Sequence, residues 1–175
     1  MASPFTSSNL PTLGRALLRV SPLVISSASL MFSWAQTVAF GSFLVPELQK
    51  DPAHPSGNIL PRYMPAFMKP GLWGIALTYP TAMLLSIANS FSGQSLYINR
   101  LYLIGGLFSL GHFYWGPRMM KLLYRISDPK EAGVRNEKDM ASWIPIHHRR
   151  TFSVNVPAWL CLLAATLGTI AEGLN

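Results

Sequence analysis

At 175 residues the chain has room for one domain; half of it is hydrophobic and only 12% is charged, against roughly 25% charged residues in a typical soluble protein. The net charge is +7, but the positive residues flank long apolar runs instead of lining a polar face, which argues against a nucleic-acid partner. A single cysteine, Cys161, excludes an intrachain disulfide framework and a cysteine metal cluster.

Residues 1–19 read as a short arm carrying Arg15 and Arg19. Beyond it, Asp, Glu, Lys and Arg are absent from Val20–Pro46, Pro70–Asn99, Leu101–Pro117 and Thr151–Ala171. A helix crossing the hydrocarbon core needs about 20 mostly apolar residues. The third span is the shortest, and it gains length from Leu96–Ile98 before it and the snorkelling stems of Arg118 and Lys121 after it. The pattern predicts an all-α, integral membrane bundle of four transmembrane helices, at about 20–45, 70–91, 97–121 and 150–171, in a single membrane domain. A soluble bundle helix would need a polar stripe. The run LVISSASLMFSWAQTVAF has only small hydroxyls and one glutamine, the residues membrane helices use at their contacts. This first span is also much longer than the apolar part of a cleaved signal peptide, about 7–15 residues.

Two long loops are expected between these helices. PELQKDPAHPSGNILPRYMPAFMK, residues 46–69, is rich in proline, which lacks a backbone donor. Its Ile59, Leu60, Tyr63, Met64, Phe67 and Met68 suggest a segment folded back as a lid or an interfacial segment. Residues 122–149 read as a solvated loop with a short helix near Asn136–Trp143. An even number of spans puts both termini on one side with Arg15, Arg19 and Arg100. All other Lys and Arg residues fall on the opposite side, so the long loops should face the cytosol.

No GxGxxG, P-loop, HExxH or GxSxG motif is present. The chemistry therefore has to be sought in polar residues at membrane depth, which are costly there. His112, in LGHFYWGPRMMK, is either an acid–base group facing the bundle interior or a neutral histidine in an aromatic belt. In WIPIHHRRTF, Pro145 suits the first turn of the last helix. On a helix His147, Arg150 and Thr151 share a face, while His148 turns away. Trp143 joins them only if the helix extends back through Pro145. A positive anchor explains Arg149 and Arg150 but not the paired histidines. An imidazole can take and return a proton, and a guanidinium can hold an oxyanion. Gln36 and Asn155 are amides inside helices, as binding groups or as helix bridges. Tyr63, Trp73, Tyr79, Trp115 and Trp143 are candidate walls of an aromatic slot, and Arg62 could meet a polar group of a ligand.

The runs AFGSFLVPEL, MKPGLWGIAL and NEKDMASWIPIHHRR resemble the anthrone-oxygenase-like family of small integral membrane proteins over roughly residues 35–165. The shared features are Gly41, Ser42 and Pro46 closing the first helix, Gly71 and Trp73 opening the second, and a Trp…His…Arg pattern that falls on Trp143, His147 and Arg150. The resemblance implies oxidation of an anthrone methylene to a quinone carbonyl in polyketide metabolism, with molecular oxygen and no metal, flavin or other cofactor. It also implies residence in the endoplasmic reticulum. An anthrone is flat, apolar and acidic, and its carbanion can itself pass an electron to oxygen. Such an enzyme would need a base (His147 or His112), a cation (Arg150) and a dry slot. Two other readings stay open. One is an isomerase or cyclase of a lipophilic polyketide or terpenoid, using the same acid–base residues. The other is a non-enzymatic adaptor whose basic loops contact membrane lipid or a partner protein. Homo-oligomerisation is not decided by the sequence.

Overall fold

The computed structural model describes residues 10–52, 55–131 and 133–174. Residues 1–9 of the expected arm lie outside these. The described elements are helical throughout: α1 (Leu10–Gly41), a 3-10 turn (Ser42–Leu44), α2 (Pro46–Gln49), α3 (Ser56–Ser90), α4 (Leu96–Ile126), a second 3-10 turn (Pro129–Glu131), α5 (Val134–Arg150), a π-helical turn (Thr151–Asn155) and α6 (Val156–Leu174). α4 packs between α3 and α6, and α1 closes the bundle against α3 and α6.

The bundle is apolar outside, and its interior mixes apolar clusters with buried polar residues. On α1 the buried residues Ser26, Ser29, Ser33, Gln36 and Phe40 follow one another at steps of three and four, a single helical face. Leu17, Val24, Met31, Trp34 and Val38 are exposed on the rest of that helix. In water this arrangement would be inverted; in hydrocarbon it puts apolar side chains against lipid and lets the polar ones pair with each other. Three helical stretches, Thr12–Leu44, Ser56–Ser90 and Arg135–Gly173, are long and apolar enough to cross a membrane. α4 is not among them, although a span was expected at 97–121. Its apolar run is interrupted by Gly105, Gly106, Ser109, Gly111 and His112 and flanked by Arg100, Arg118 and Lys121.

The expected boundaries are corrected in several places. Residues 10–19 of the arm are already helical, and the last unit starts at Val134, not near 150. The 46–69 loop is largely helix: α3 begins at Ser56 and carries Pro61, Pro65, Pro70 and Pro80 inside it. A proline inside a helix frees the carbonyl four residues back, so the helix survives where another donor reaches that oxygen. Two such cases are visible. Pro61 frees the Gly57 carbonyl, which accepts from Gly133 N at 3.1 Å. Pro22 in α1 frees the Leu18 carbonyl, which accepts from the buried Asn89 Nδ2 at 2.8 Å. Both donors lie far along the chain, so no local pattern reveals them.

The expected 122–149 loop is replaced by the end of α4, a tight turn and α5. Ser56 Oγ and Gly57 N (3.0 Å) both donate to Glu137 of α5, so a distant carboxylate satisfies orphan donors at the start of α3. A Cβ on Gly57 would lie 2.3 Å from the Gly133 carbonyl oxygen, so only glycine fits there. Asn136 Nδ2 donates to the Ile126 carbonyl at 2.9 Å, and Arg125 pairs with Asp139 at 2.7 Å. These contacts lock α5 beneath α3 and α4. Midway along α4, a Cβ on Gly105 would meet Leu162 at 2.8 Å and one on Gly106 would meet Ser86 at 2.9 Å. The glycine pair is what lets α4 sit close to α3 and α6.

Candidate active site

The helical unit from Trp143 to Asn155 presents the polar centre. α5 continues through Pro145, so Trp143 and His147 are one turn apart and their rings stack at 4.6 Å and 16°. Phe40 of α1 meets the other side of Trp143 edge-on at 5.0 Å. The π-helical turn then follows, with Val156 N bonded to the Thr151 carbonyl five residues back. Single π turns are common at functional sites. Here the wider turn allows Arg150 and Asn155, five positions apart, to reach the same atom. Arg150 Nη2 donates to Ser33 Oγ at 3.3 Å, and Asn155 Nδ2 donates to it at 2.8 Å.

His147 is fully buried and both its nitrogens are engaged. Nδ1 faces Arg150 Nη2 at 3.1 Å and Nε2 faces the Ser33 carbonyl at 2.9 Å. A guanidinium only donates and a carbonyl only accepts. His147 is therefore the neutral tautomer with its proton on Nε2. It holds the guanidinium and has no free lone pair for a substrate proton.

Arg150 is 3% exposed. Its remaining contact is a weak one from Nη1 to Met119 Sδ at 3.5 Å, and its Nε has no hydrogen-bond partner. Among the described residues, no carboxylate pairs with it. A buried cation without a counter-charge is costly, and this one lines a cavity of about 370 Å³ between α1, α3, α4 and α5. The other walls include Gln36, Phe40, Phe67, Ile75, His112, Met119 and Trp143. His112 is 5% exposed, its Nδ1 makes no hydrogen bond among the described residues, and its ring lies 3.8 Å from that of Tyr79. The cavity thus combines mostly apolar walls with a guanidinium and a histidine ring whose Nδ1 is buried and makes no hydrogen bond among the described residues.

Of the residues singled out in the sequence, Gln36, His112, Trp143 and Arg150 line this cavity, and His147 and Asn155 adjoin it through Arg150 and Ser33. Tyr79 adjoins it too, through its ring contact with His112; Trp73, Arg62, Tyr63 and Trp115 do not line it. Trp73 is 66% exposed on the outer face of α3, and Arg62 is exposed near the start of that helix. Tyr63 packs in the aromatic cluster with Phe40 and Phe43, and Trp115 borders a separate hollow against Ser153 and Val154. Extending the helix back to Ser56 moves Arg62 and Tyr63 away from a lid position, which is why they fall outside. Ser33, the common acceptor, was not singled out. The signal for it was the three-and-four spacing of Ser26, Ser29, Ser33 and Gln36, which marks an inward face. Among the described residues, no three His, Cys, Asp or Glu side chains cluster as a metal site would require.

The chain is 30% identical over 159 residues to the "Probable epoxidase scpX" of Mollisia scopiformis, covering 86% of this chain and 94% of that one. The chain belongs to this epoxidase family. It is also similar to the "Epoxidase pydX" of an Acremonium species, 29% identical over 161 residues and covering 86% and 93% of the two chains. The "Oxaleimides biosynthesis cluster protein N" of Penicillium oxalicum is 26% identical over 171 residues, covering 94% and 93%. The match runs along almost the whole length of each relative. No protein-family model matches the chain, and no solved structure does. None of the three relatives is named as an anthrone oxygenase; the family is one of epoxidases in secondary metabolism.

Proposed function

We propose that the chain is a membrane-embedded epoxidase of secondary metabolism, and that it works without a bound cofactor on a lipophilic substrate that is both unsaturated and enolisable. The observation that carries this reading is Arg150: a buried guanidinium that pairs with no carboxylate among the described residues, set in the wall of a mostly apolar cavity. Such a group is matched by an anionic guest. An anthrone, as implied by the family resemblance, has the required acidity. The epoxidase relatives favour a substrate that also carries a carbon–carbon double bond.

In this reading His112 takes the acidic proton through Nδ1, and Arg150 holds the resulting enolate oxygen. The carbanion carbon adds to molecular oxygen, losing two electrons while the oxygen gains two, and His112 returns the proton to give a hydroperoxide. The distal oxygen then adds across the double bond as the O–O bond breaks, leaving an epoxide and an alcohol. All electrons come from the substrate. His147 is a positioning residue that holds Arg150, and Trp143 and Phe40 form the slot wall. Base catalysis is worth about 10²–10⁴-fold, and oxyanion stabilisation can contribute a similar factor.

We place all four long helical units in the membrane, α4 included. Its outward Leu103, Ile104, Leu107 and Phe108 are exposed as lipid-facing residues would be. The Lys/Arg bias supports a cytosolic position for the end that holds α2 and the start of α5. Residence in the endoplasmic reticulum follows from the resemblance.

The test is turnover under ¹⁸O₂ in vesicles, with the protein supplied with an unsaturated enolisable lipophile. Substrate-driven epoxidation places both labelled atoms in the organic product without added reductant. One labelled atom in product and one in water, with dependence on an external reductant, would reject the cofactor-free route. Turnover in the absence of oxygen would instead favour the isomerase or cyclase reading.

A further inference from the structure

A second hollow, of about 630 Å³, lies on the outer surface between α3 and α4. It adjoins the cavity, and Met68, Leu72 and Ala76 form a wall common to both. Its far end is bordered by Lys69, Trp73 and Tyr124. Trp73 and Tyr124 are largely exposed, and a tryptophan, a tyrosine and a lysine together are the residues that favour the membrane–water boundary. Neither lining contains Asp or Glu, and each contains one cation, Lys69 outside and Arg150 inside. Leu72, which divides the two spaces, is 41% exposed. A guest moving from the groove to the cavity would therefore pass from one positive group to another along apolar walls.

We infer that the α3–α4 groove is a lateral port through which a lipophilic acid reaches the cavity from the membrane interface. Its polar end rests first near Lys69 while its apolar body lies along Leu72 and Ala76. It then slides past these two side chains until its charge meets Arg150. The substrate class rests on the function proposed above; the route rests only on the shared wall of the two spaces and the placement of their cations. The groove also supplies a reason for the small Ala76, since a larger side chain there would close the junction.

The route can be tested without turnover. In a variant that keeps Trp143 and replaces Trp34, Trp73, Trp115 and Trp159 by phenylalanine, the fluorescence of Trp143 reports on the cavity. The protein is placed in phosphatidylcholine vesicles, and a dibrominated fatty acid is added as a contact quencher from the lipid phase. Saturable quenching of Trp143 is expected, and Ala76→Phe or Leu72→Phe should raise its half-saturating concentration about tenfold or abolish it. Leu77→Phe, on the lipid-facing side of α3, should have no effect and controls for folding. Lys69→Gln should weaken quenching by the acid several-fold but not by a dibrominated alkane. Equal saturable quenching in the parent and in both port variants, or no saturable quenching in the parent, would overturn the port. Because no oxygen or reaction is involved, failure of the epoxidase chemistry would leave these results unchanged.

Discussion

Ser33 gathers more of the site than any charged residue does. Its hydroxyl accepts from Arg150 and Asn155, and its carbonyl accepts from His147 and from Thr37 at 3.2 Å. Removing the hydroxyl leaves two buried donors short of a partner, at about 1.5–3 kcal/mol for a hydrogen bond to a charged group. Ser33→Ala should therefore lower kcat/KM by roughly ten- to a hundredfold while the protein still inserts, measured as initial rates in vesicles. His147 gives a sharper contrast. Its role here is to accept from Arg150, so His147→Asn, whose side-chain oxygen can sit near the position of Nδ1, should keep much more activity than His147→Ala. A base could not be replaced in this way; equal loss in both variants would return His147 to proton transfer. His112→Asn, by contrast, should be as inactive as His112→Ala. The sequence made His147, Arg150 and Trp143 visible because their spacing puts them on one helical face. It could not show that both imidazole nitrogens of His147 are engaged, since one partner is a backbone carbonyl more than a hundred residues away.

At the scale of elements, the prolines show where sequence reasoning stops. A run with this many prolines reads as a loop, because each one removes a local hydrogen bond. The fold restores one of those bonds with a donor from Gly133, and Asn89 does the same for Pro22 in α1; no local pattern reveals either donor. Asn89→Leu should destabilise the bundle by about 1–3 kcal/mol by leaving the Leu18 carbonyl unpaired, seen as a lower midpoint in detergent-based unfolding. Gly57→Ala should be worse than its size suggests, since its Cβ would fall against the backbone of Gly133 rather than against a flexible side chain. The apolar centres of the long helices were easier to find: the charge-free spans run from α1 to the start of α2, from α3 through the following turn into the first residues of α4, within α4, and across the π turn and α6. Their ends were not, because charged residues such as Arg62, Arg125 and Lys138 continue the helices beyond the apolar parts. The π turn was also invisible, although the five-residue interval between Arg150 and Asn155 is the place where it acts.

For the whole molecule, the central relation is between a bundle with an apolar outer surface and a buried guanidinium that no carboxylate among the described residues pairs with. Apolar side chains cover the outside, hydroxyls and amides line the contacts, and one guanidinium stands in the wall of the internal space. In water that charge would be screened; in a low-dielectric cavity it acts strongly on an anionic guest. The family relationship says that chains of this kind are named epoxidases, and the cavity offers an arrangement in which an anionic, unsaturated guest could react with oxygen. The most direct measurement is epoxide formation by Arg150→Met and Arg150→Lys, each reconstituted in vesicles and shown to be inserted and folded. The account predicts a loss of at least about a hundredfold in kcat/KM for Arg150→Met, the scale expected for removing an oxyanion partner, with partial retention in Arg150→Lys. Undiminished epoxidation by Arg150→Met would contradict it.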